Sequence, residues 1–303
     1  MSHAKRNWKN YNKSLVNRGS LTIWIDPDSQ NQWVIKEKRG RPKFSSLVIK
    51  TGWILKTVYR LTFRTLQGFF NSILKLMKLP LESPDYSLFS KRAAEVMDDL
   101  PKLSKRRPTD LVIDSSGFKV YGEGEWKVKI HGKDKPRKWI KAHIAVDPQS
   151  QEIIALEVTE SSVGDAPMLP KLVEKAPKSV KRVAADGAYD RFKCRAFLHS
   201  KAITGVIPPP INARIRGETA LEERNDAIKI INYFGGEGIA RSIWKKMVGY
   251  HKRSLVETAF SSVKRLFGDR LQSKIIQTQM LEMYLRCWAV NKIRRISDVK
   301  FLI

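Results

Sequence analysis

Residues 109–120, TDLVIDSSGFKV, and residues 179–190, SVKRVAADGAYD, decide how this chain is read. In each, a run of apolar β-formers leads into an aspartate: Leu111-Val112-Ile113 into Asp114, and Val180 to Ala185 into Asp186. A short apolar run bounded by polar residues predicts a strand buried on both faces. Alternating stretches at 126–130, 139–146 and 152–158 predict further strands, with Asp147-Pro148 turning the chain between the last two. Helices are expected at 165–175, with Asp165 the candidate N-cap, and at 191–202. A strand over 203–207 should follow, stopped by Pro208-Pro209-Pro210. Strands in succession, then strands alternating with helices, predict an α/β mixed sheet with helices on both faces.

Working outward, residues 212–249 are polar and Gly-containing and read as partly helical, and helices over 251–266 and 274–296 close the chain. On the N-terminal side, Pro101 to Pro108 (PKLSKRRP) is a basic, proline-bounded hinge. It places a boundary between residues 1–105 and 106–303. Before it, helical spacing predicts helices over 45–59, from Thr62 onward, and over 87–100 with Ser87 as N-cap. The prolines of Leu79-Pro80-Leu81-Glu82-Ser83-Pro84 separate the second from the third. This all-α part is expected to be a helix-turn-helix-like DNA-binding domain, with Ser87, Lys91 and Arg92 in the first turns of its last helix. A plain helical bundle fits the same pattern. Residues 1–44 are polar, with Trp8, Tyr11, Trp24 and Trp33 among basic residues, and Lys38 to Pro42 reads as an arm or linker.

The chain has 303 residues, of which 57 are Lys or Arg and 30 Asp or Glu, a net charge of +27. The excess is spread over both halves, with 20 basic and 8 acidic residues before Arg106 and 37 and 22 from there on. It is therefore no detachable tail, and the expected partner is a polyanion contacted at several places. No apolar run reaches the length of a membrane span, and no apolar stretch follows the basic N-terminus, as a secretory signal would require. Two cysteines make no disulfide framework, and five histidines suggest no Cys/His zinc cluster. The expected setting is cytoplasmic, at the nucleoid.

If the strands before Asp114 and Asp186 are parallel neighbours, both carboxylates emerge at one sheet edge, where α/β sheets place ligands. Two carboxylates that close stay ionised only with a cation between them. Oxygen ligands and a phosphate substrate point to Mg²⁺ or Mn²⁺, and a pair of such ions needs a third carboxylate. Glu257, in GYHKRSLVETAFSSVKRLFG, is the candidate. At 100° per residue, Tyr250, Arg253 and Lys264 share its helical face. That face suits a metal ligand flanked by groups that grip DNA, and equally an ordinary surface with an Arg253–Glu257 pair at i, i+4. Asp190, His131, His143, Trp126 and Trp139 read more simply as structural. Basic residues Lys127, Lys129, Lys133, Arg137, Lys138 and Lys141 surround the two histidines.

These segments resemble the DDE transposases of bacterial insertion sequences, in particular insertion sequence family five. The four-residue tyrosine–arginine–glutamate–lysine signature of that group is present in full as Tyr250, Arg253, Glu257 and Lys264. LVIDSSGFKVYGEGEWKVKIHG is similar to the region of the first aspartate and ADGAYD to that of the second, and RGSLTIWID, LQGFFNSILKLMKL and PDYSLFSKR resemble the N-terminal part. The chain departs in having Ser-Ser-Gly after Asp114 and Ser90-Lys91-Arg92 where a double arginine is usual.

The resemblance implies an RNase H-like catalytic domain in which Asp114, Asp186 and Glu257 hold two Mg²⁺ or Mn²⁺ ions. It implies cleavage of the phosphodiester at the element ends and joining of the 3′-hydroxyl to target DNA. The implied partners are double-stranded DNA, as terminal inverted repeats and target, and a second copy of the chain in a synaptic dimer. Tyr250, Arg253 and Lys264 would contact DNA near the cut. Two other classes fit parts of the pattern: a former transposase kept as a DNA-binding protein, and a stand-alone RNase H-like nuclease. The first predicts loss of an acidic ligand, and the second lacks the basic N-terminal region.

Overall fold

The computed structural model describes residues 23–24, 32–35, 43–120, 139–236, 238–295 and 301–302. The expected strand at 126–130, the basic arm at 38–42, Trp8, Tyr11, Trp126, His131 and the basic residues Lys127, Lys129, Lys133, Arg137 and Lys138 lie outside them. The chain forms two compact units, one of Met1–Pro101 with Gln272–Ile303 and one of Lys102–Leu271.

The first unit begins with two-residue strands: β1 (Ile23–Trp24), β2 (Val34–Ile35) and β3 (Lys43–Phe44), the last two antiparallel. Helices α1 (Ser46–Val58) and α2 (Phe63–Leu76) follow. Thr62 caps α2 as its sequence suggests, its hydroxyl accepting the Thr65 N–H. The helix expected over 87–100 is instead two short ones, α3 (Tyr86–Lys91) and α4 (Ala93–Asp98). Asp85, not Ser87, is the N-cap of α3. Its carboxylate accepts the Ser87 N–H at 2.9 Å and hydroxyl at 2.6 Å, and an ionised acceptor outcompetes a hydroxyl for the free helix N–H groups. Arg92, at the break, is bound to the Phe44 carbonyl and the Glu95 carboxylate.

The core of this unit joins Trp33, Trp53, Leu66, Phe70 and Phe89. Both indoles find partners, Trp33 Nε1 on the Glu82 carbonyl and Trp53 Nε1 on that of Phe89, each at 2.8 Å. A Cβ on Gly52 would come within 2.1 Å of the Phe89 ring, so only glycine lets α3 approach α1 this closely.

The second unit is built on a five-stranded sheet of β4 (Asp110–Lys119), β5 (Trp139–Val146), β6 (Ile153–Glu160), β7 (Arg182–Ala184) and β8 (Thr204–Val206). Their order is β6-β5-β4-β7-β8. The first three are antiparallel and β4, β7 and β8 run parallel, a mixed sheet as the succession of strands and helices predicts. Helices α5 (Met168–Lys175) and α6 (Phe192–Ser200) precede and follow β7, α7 (Glu222–Tyr233) and α8 (Ile239–Met247) occupy the polar stretch, and α9 (Ser254–Phe267) comes last. β4 is longer than its apolar run suggests. It continues through Ser115, Ser116 and Gly117 in unbroken register with β5, so Asp114 lies within the strand and not at its end.

Side chains alternate across a strand. Leu111 and Ile113 enter the core with Leu169, Leu172, Val183, Cys194 and Leu198, which packs α5 and α6 on one face. Phe118 points the other way, its ring 6.4 Å from that of Phe260, so α9 covers the opposite face. Asp114 and Ser116 share the parity of Phe118.

The last helix, α10 (Ile276–Arg295), belongs to the first unit, where the sequence reading grouped it with 106–303. Leu281 and Leu285 complete the core around Trp53 and Phe89. Between them Glu282, 2% exposed, pairs with Arg286 at 2.7 Å, accepts the Gln272 and Ser273 N–H groups and faces the buried Lys56. These charges and N–H groups hold its carboxyl below the usual range although burial opposes them. Beyond α10, β9 (Phe301–Leu302) pairs parallel with β1.

This closure generates a test. Glu282→Ala would remove the buried carboxylate that pairs with Arg286 and faces Lys56, at a cost of about 3–5 kcal/mol. Urea titration of the full chain should show the first unit unfolding early. An unchanged midpoint would remove the ion network from the stability of this unit.

Candidate active site

The site begins in the pairing of β4 with β7. Val112 lies opposite Ala184, and Asp114 and Asp186 each follow two residues further on. β7 stops at Ala184, so Asp114 leaves the parallel region where the sheet opens, as does Asp186. Asp186 accepts the Ala188 N–H at 2.9 Å and caps a 3-10 turn over Gly187–Tyr189. Asp114 is 19% exposed and accepts the Ser115 N–H at 2.8 Å. Burial holds its carboxyl above the ordinary range and the negative charge of Asp186 pushes the same way, against the Ser115 N–H and Arg253.

The third carboxylate arrives on α9. Gly249, at φ +65°, lets the chain leave α8 and enter a 3-10 turn, Tyr250–Arg253, that runs into α9. Glu257 lies in the first turn of α9, where the helix dipole favours an anion. Arg253 joins the two elements: Nη1 donates to Asp114 Oδ2 at 2.7 Å and Nη2 to Glu257 Oε1 at 2.6 Å. The i, i+4 pair expected of an ordinary helix surface therefore forms, but its cation is shared with a strand carboxylate 139 residues away.

Two turns on, Lys264 donates to Ser116 Oγ at 2.8 Å and lies over the Phe118 ring. Tyr250 packs near Trp244 and Lys245, and burial raises the pKa of its phenol. Arg253 and Lys264 thus both reach β4, but Tyr250 and Arg253 lie in the 3-10 turn before α9, so the α-helical period that groups the four residues holds only from Ser254 onward. Ser116 was not singled out in the sequence; its only signal was sharing the parity of Asp114.

Other candidates take structural positions. Asp190 is bound by Arg195 at 2.9 Å and Arg224 at 3.0 Å in a buried cluster. Asp165 does not cap α5. It is drawn to Lys141 at 3.2 Å and His143 at 3.6 Å on β5, on the face of the sheet opposite α9. In the first unit, the Ser87 hydroxyl and the Arg92 guanidinium are engaged by Asp85, Glu95 and Phe44, and Lys91 is exposed.

Among the described residues, no group of three or more His, Cys, Asp or Glu side chains is gathered closely enough to hold a metal ion. The donor set still fits one: carboxylate oxygens suit hard divalent cations. The guanidinium of Arg253 already occupies the place of a cation between two of them.

A family model described as a transposase DDE domain matches residues 105–292, and a second with the same description matches residues 16–123. The chain therefore belongs to the DDE transposase family, and the protein is a DDE transposase. Enzymes of this family generally use divalent metal ions. Among solved structures, the chain matches a piggyBac transposase synaptic complex with hairpin DNA, at 12% identity and a TM-score of 0.44, over 94% of this chain and 69% of that one. No helix among the described residues is long and apolar enough to cross a membrane.

His143 provides a pH test of the face opposite the site. It is wholly buried, with Nε2 2.9 Å from the Thr159 hydroxyl. Burial lowers its pKa, reinforced by Lys141 and opposed by Asp165 and Glu157. The unfolded chain therefore takes up this proton first, near the ordinary value of about 6.5. Stability is full above that value and falls as the pH drops below it. Melting temperatures between pH 7.5 and 5.5 should fall more steeply for the wild type than for His143→Gln. Parallel slopes would show that His143 does not carry this dependence.

Proposed function

We propose that the protein binds the inverted repeats at the ends of its own DNA element, hydrolyses a phosphodiester there and joins the freed 3′-hydroxyl to target DNA. In this reading Asp114, Asp186 and Glu257 hold two Mg²⁺ or Mn²⁺ ions. The observation that carries it is the Arg253 guanidinium, which draws Asp114 and Glu257 to one cation beside the edge shared by Asp114 and Asp186. When bound, the divalent ions activate water or the 3′-hydroxyl and stabilise charge on the phosphoryl oxygens. The chain's part is to supply oxygen ligands from a rigid strand, a capped turn and a helix. Lys264 and Arg253 add fixed positive field beside the phosphate, and Tyr250 offers a ring for a displaced base. No side chain serves as a covalent nucleophile.

The first unit is the proposed reader of the repeats. From Lys43 to Leu81 the chain has no acidic residue. α2 exposes Arg64, Asn71 and Lys75 on its outer face, and Lys91 is exposed on α3. Ser87 and Arg92 join the interface only by exchanging their internal partners for DNA. A synaptic dimer would bring two ends together.

Full-length protein with a labelled terminal fragment tests this. Asp114→Asn, Asp186→Asn and Glu257→Gln should each abolish nicking in Mg²⁺ or Mn²⁺ while keeping the wild-type melting profile. Chelation should stop cleavage and spare end binding. Near-normal cleavage by any one variant removes that residue from the site, and cleavage without joining favours a nuclease. Lys91→Ala and Arg92→Ala should weaken binding by about 1–3 kcal/mol if they read base edges. Equal loss on unrelated DNA would reassign them to phosphate.

A further inference from the structure

We infer that Arg253 is the internal counter-cation of the carboxylate set: a positioning residue that holds Asp114 and Glu257 together before a divalent ion arrives, and whose departure couples metal loading to DNA binding. The inference rests on the reading that these carboxylates are metal ligands. Its basis is the geometry of the guanidinium. Two terminal nitrogens of one fork reach two carboxylates on different elements, at 2.7 and 2.6 Å. The Arg253–Asp114 pair is partly sheltered, with both side chains about one-fifth exposed, while the Glu257 end of the fork stands open to solvent.

Asp114 and Glu257 are otherwise two anions on adjacent elements, and the charge of Asp186 is also felt at Asp114. A planar, always charged fork relieves that repulsion without any metal. The oxygens it uses, Asp114 Oδ2 and Glu257 Oε1, are ones a divalent ion would also draw on. Guanidinium and ion therefore compete, and an ion binding to the DNA-free protein must displace two charge-assisted hydrogen bonds. A DNA phosphate changes that balance, because it offers the same fork another bidentate acceptor. Phosphate and divalent ion each favour the state in which Arg253 has left the carboxylates, so each strengthens the binding of the other. The carboxylates are then held ready in the free protein, while loading is deferred until DNA is present.

The test measures Mn²⁺ binding to the full-length protein by electron paramagnetic resonance of the free ion, with and without a duplex terminal fragment. Wild-type protein should bind Mn²⁺ about tenfold more tightly with DNA than without, a coupling of ordinary size. Arg253→Gln should bind it about tenfold more tightly than wild type without DNA and should lose most of the DNA effect. Arg253→Lys, with a point charge in place of the fork, should fall between. Melting curves should show metal-free Arg253→Gln destabilised and Mn²⁺ raising its melting temperature more than that of wild type. Replacing a residue that merely braced the fold would lower both stability and metal affinity.

Unchanged or weaker Mn²⁺ affinity in Arg253→Gln without DNA overturns the competition. If Asp114→Asn and Glu257→Gln leave Mn²⁺ binding intact in the Arg253→Gln background, the metal reading fails and this inference with it. If they abolish it while wild type shows no DNA effect, only the coupling fails.

Discussion

The two-residue alternation of β4 is the constraint on which the second unit depends. β4 is hydrogen-bonded to β5 on one side and β7 on the other, so its backbone cannot shift by one residue without exchanging its two faces. In the observed register Leu111 and Ile113 anchor α5 and α6, while Phe118 anchors α9. Asp114 and Ser116 are carried to the α9 side by that same parity, where Arg253 and Lys264 meet them. A slip of one residue would bury Asp114 in the apolar cluster and empty the site. Hydrophobic packing thus sets the chemistry through register.

The residues that could be identified in the sequence are those whose neighbours are local. Asp114 and Asp186 follow apolar runs, and Glu257 and Lys264 lie at helical intervals, so their faces follow from period alone. What could not be read depended on distant partners. The length of β4 was hidden by Ser115, Ser116 and Gly117, whose polarity ends the apolar signal although β5 keeps them in register. Asp165 has the position of a cap, yet Lys141 and His143 on another strand claim it. Ser87 lost its cap to Asp85, two residues earlier and charged. The place of α10 is the clearest case. Its mixture of polar and apolar residues does not say which core it serves, and only the buried Lys56 and the indole of Trp53, more than 200 positions away, decide it.

Charge is handled differently in the two units. In the first, Glu282 lies between two cations, Lys56 and Arg286, and all three are sealed from water. In the second, Arg253 balances carboxylates at a partly open edge, with Glu257 more than half exposed. The buried network gains its strength from the absence of solvent and ions. The open one is accessible to both, which suits groups that must exchange partners.

The division of the chain also bears on how it folds. The second unit is one continuous segment, whereas the first needs residues from both ends, with Lys56 and Gln272 in contact across 216 positions. Closing so long a loop in an unstructured chain carries a large entropic penalty before any contact rewards it. Formation of the sheet shortens that loop, because Lys119 at the end of β4 is bonded to Asp269 and Leu271 just before the chain re-enters the first unit. The natural order is therefore the inner segment first and the outer one last. During synthesis, the helices before residue 101 must wait with Trp53 and Phe89 incompletely covered until α10 has emerged.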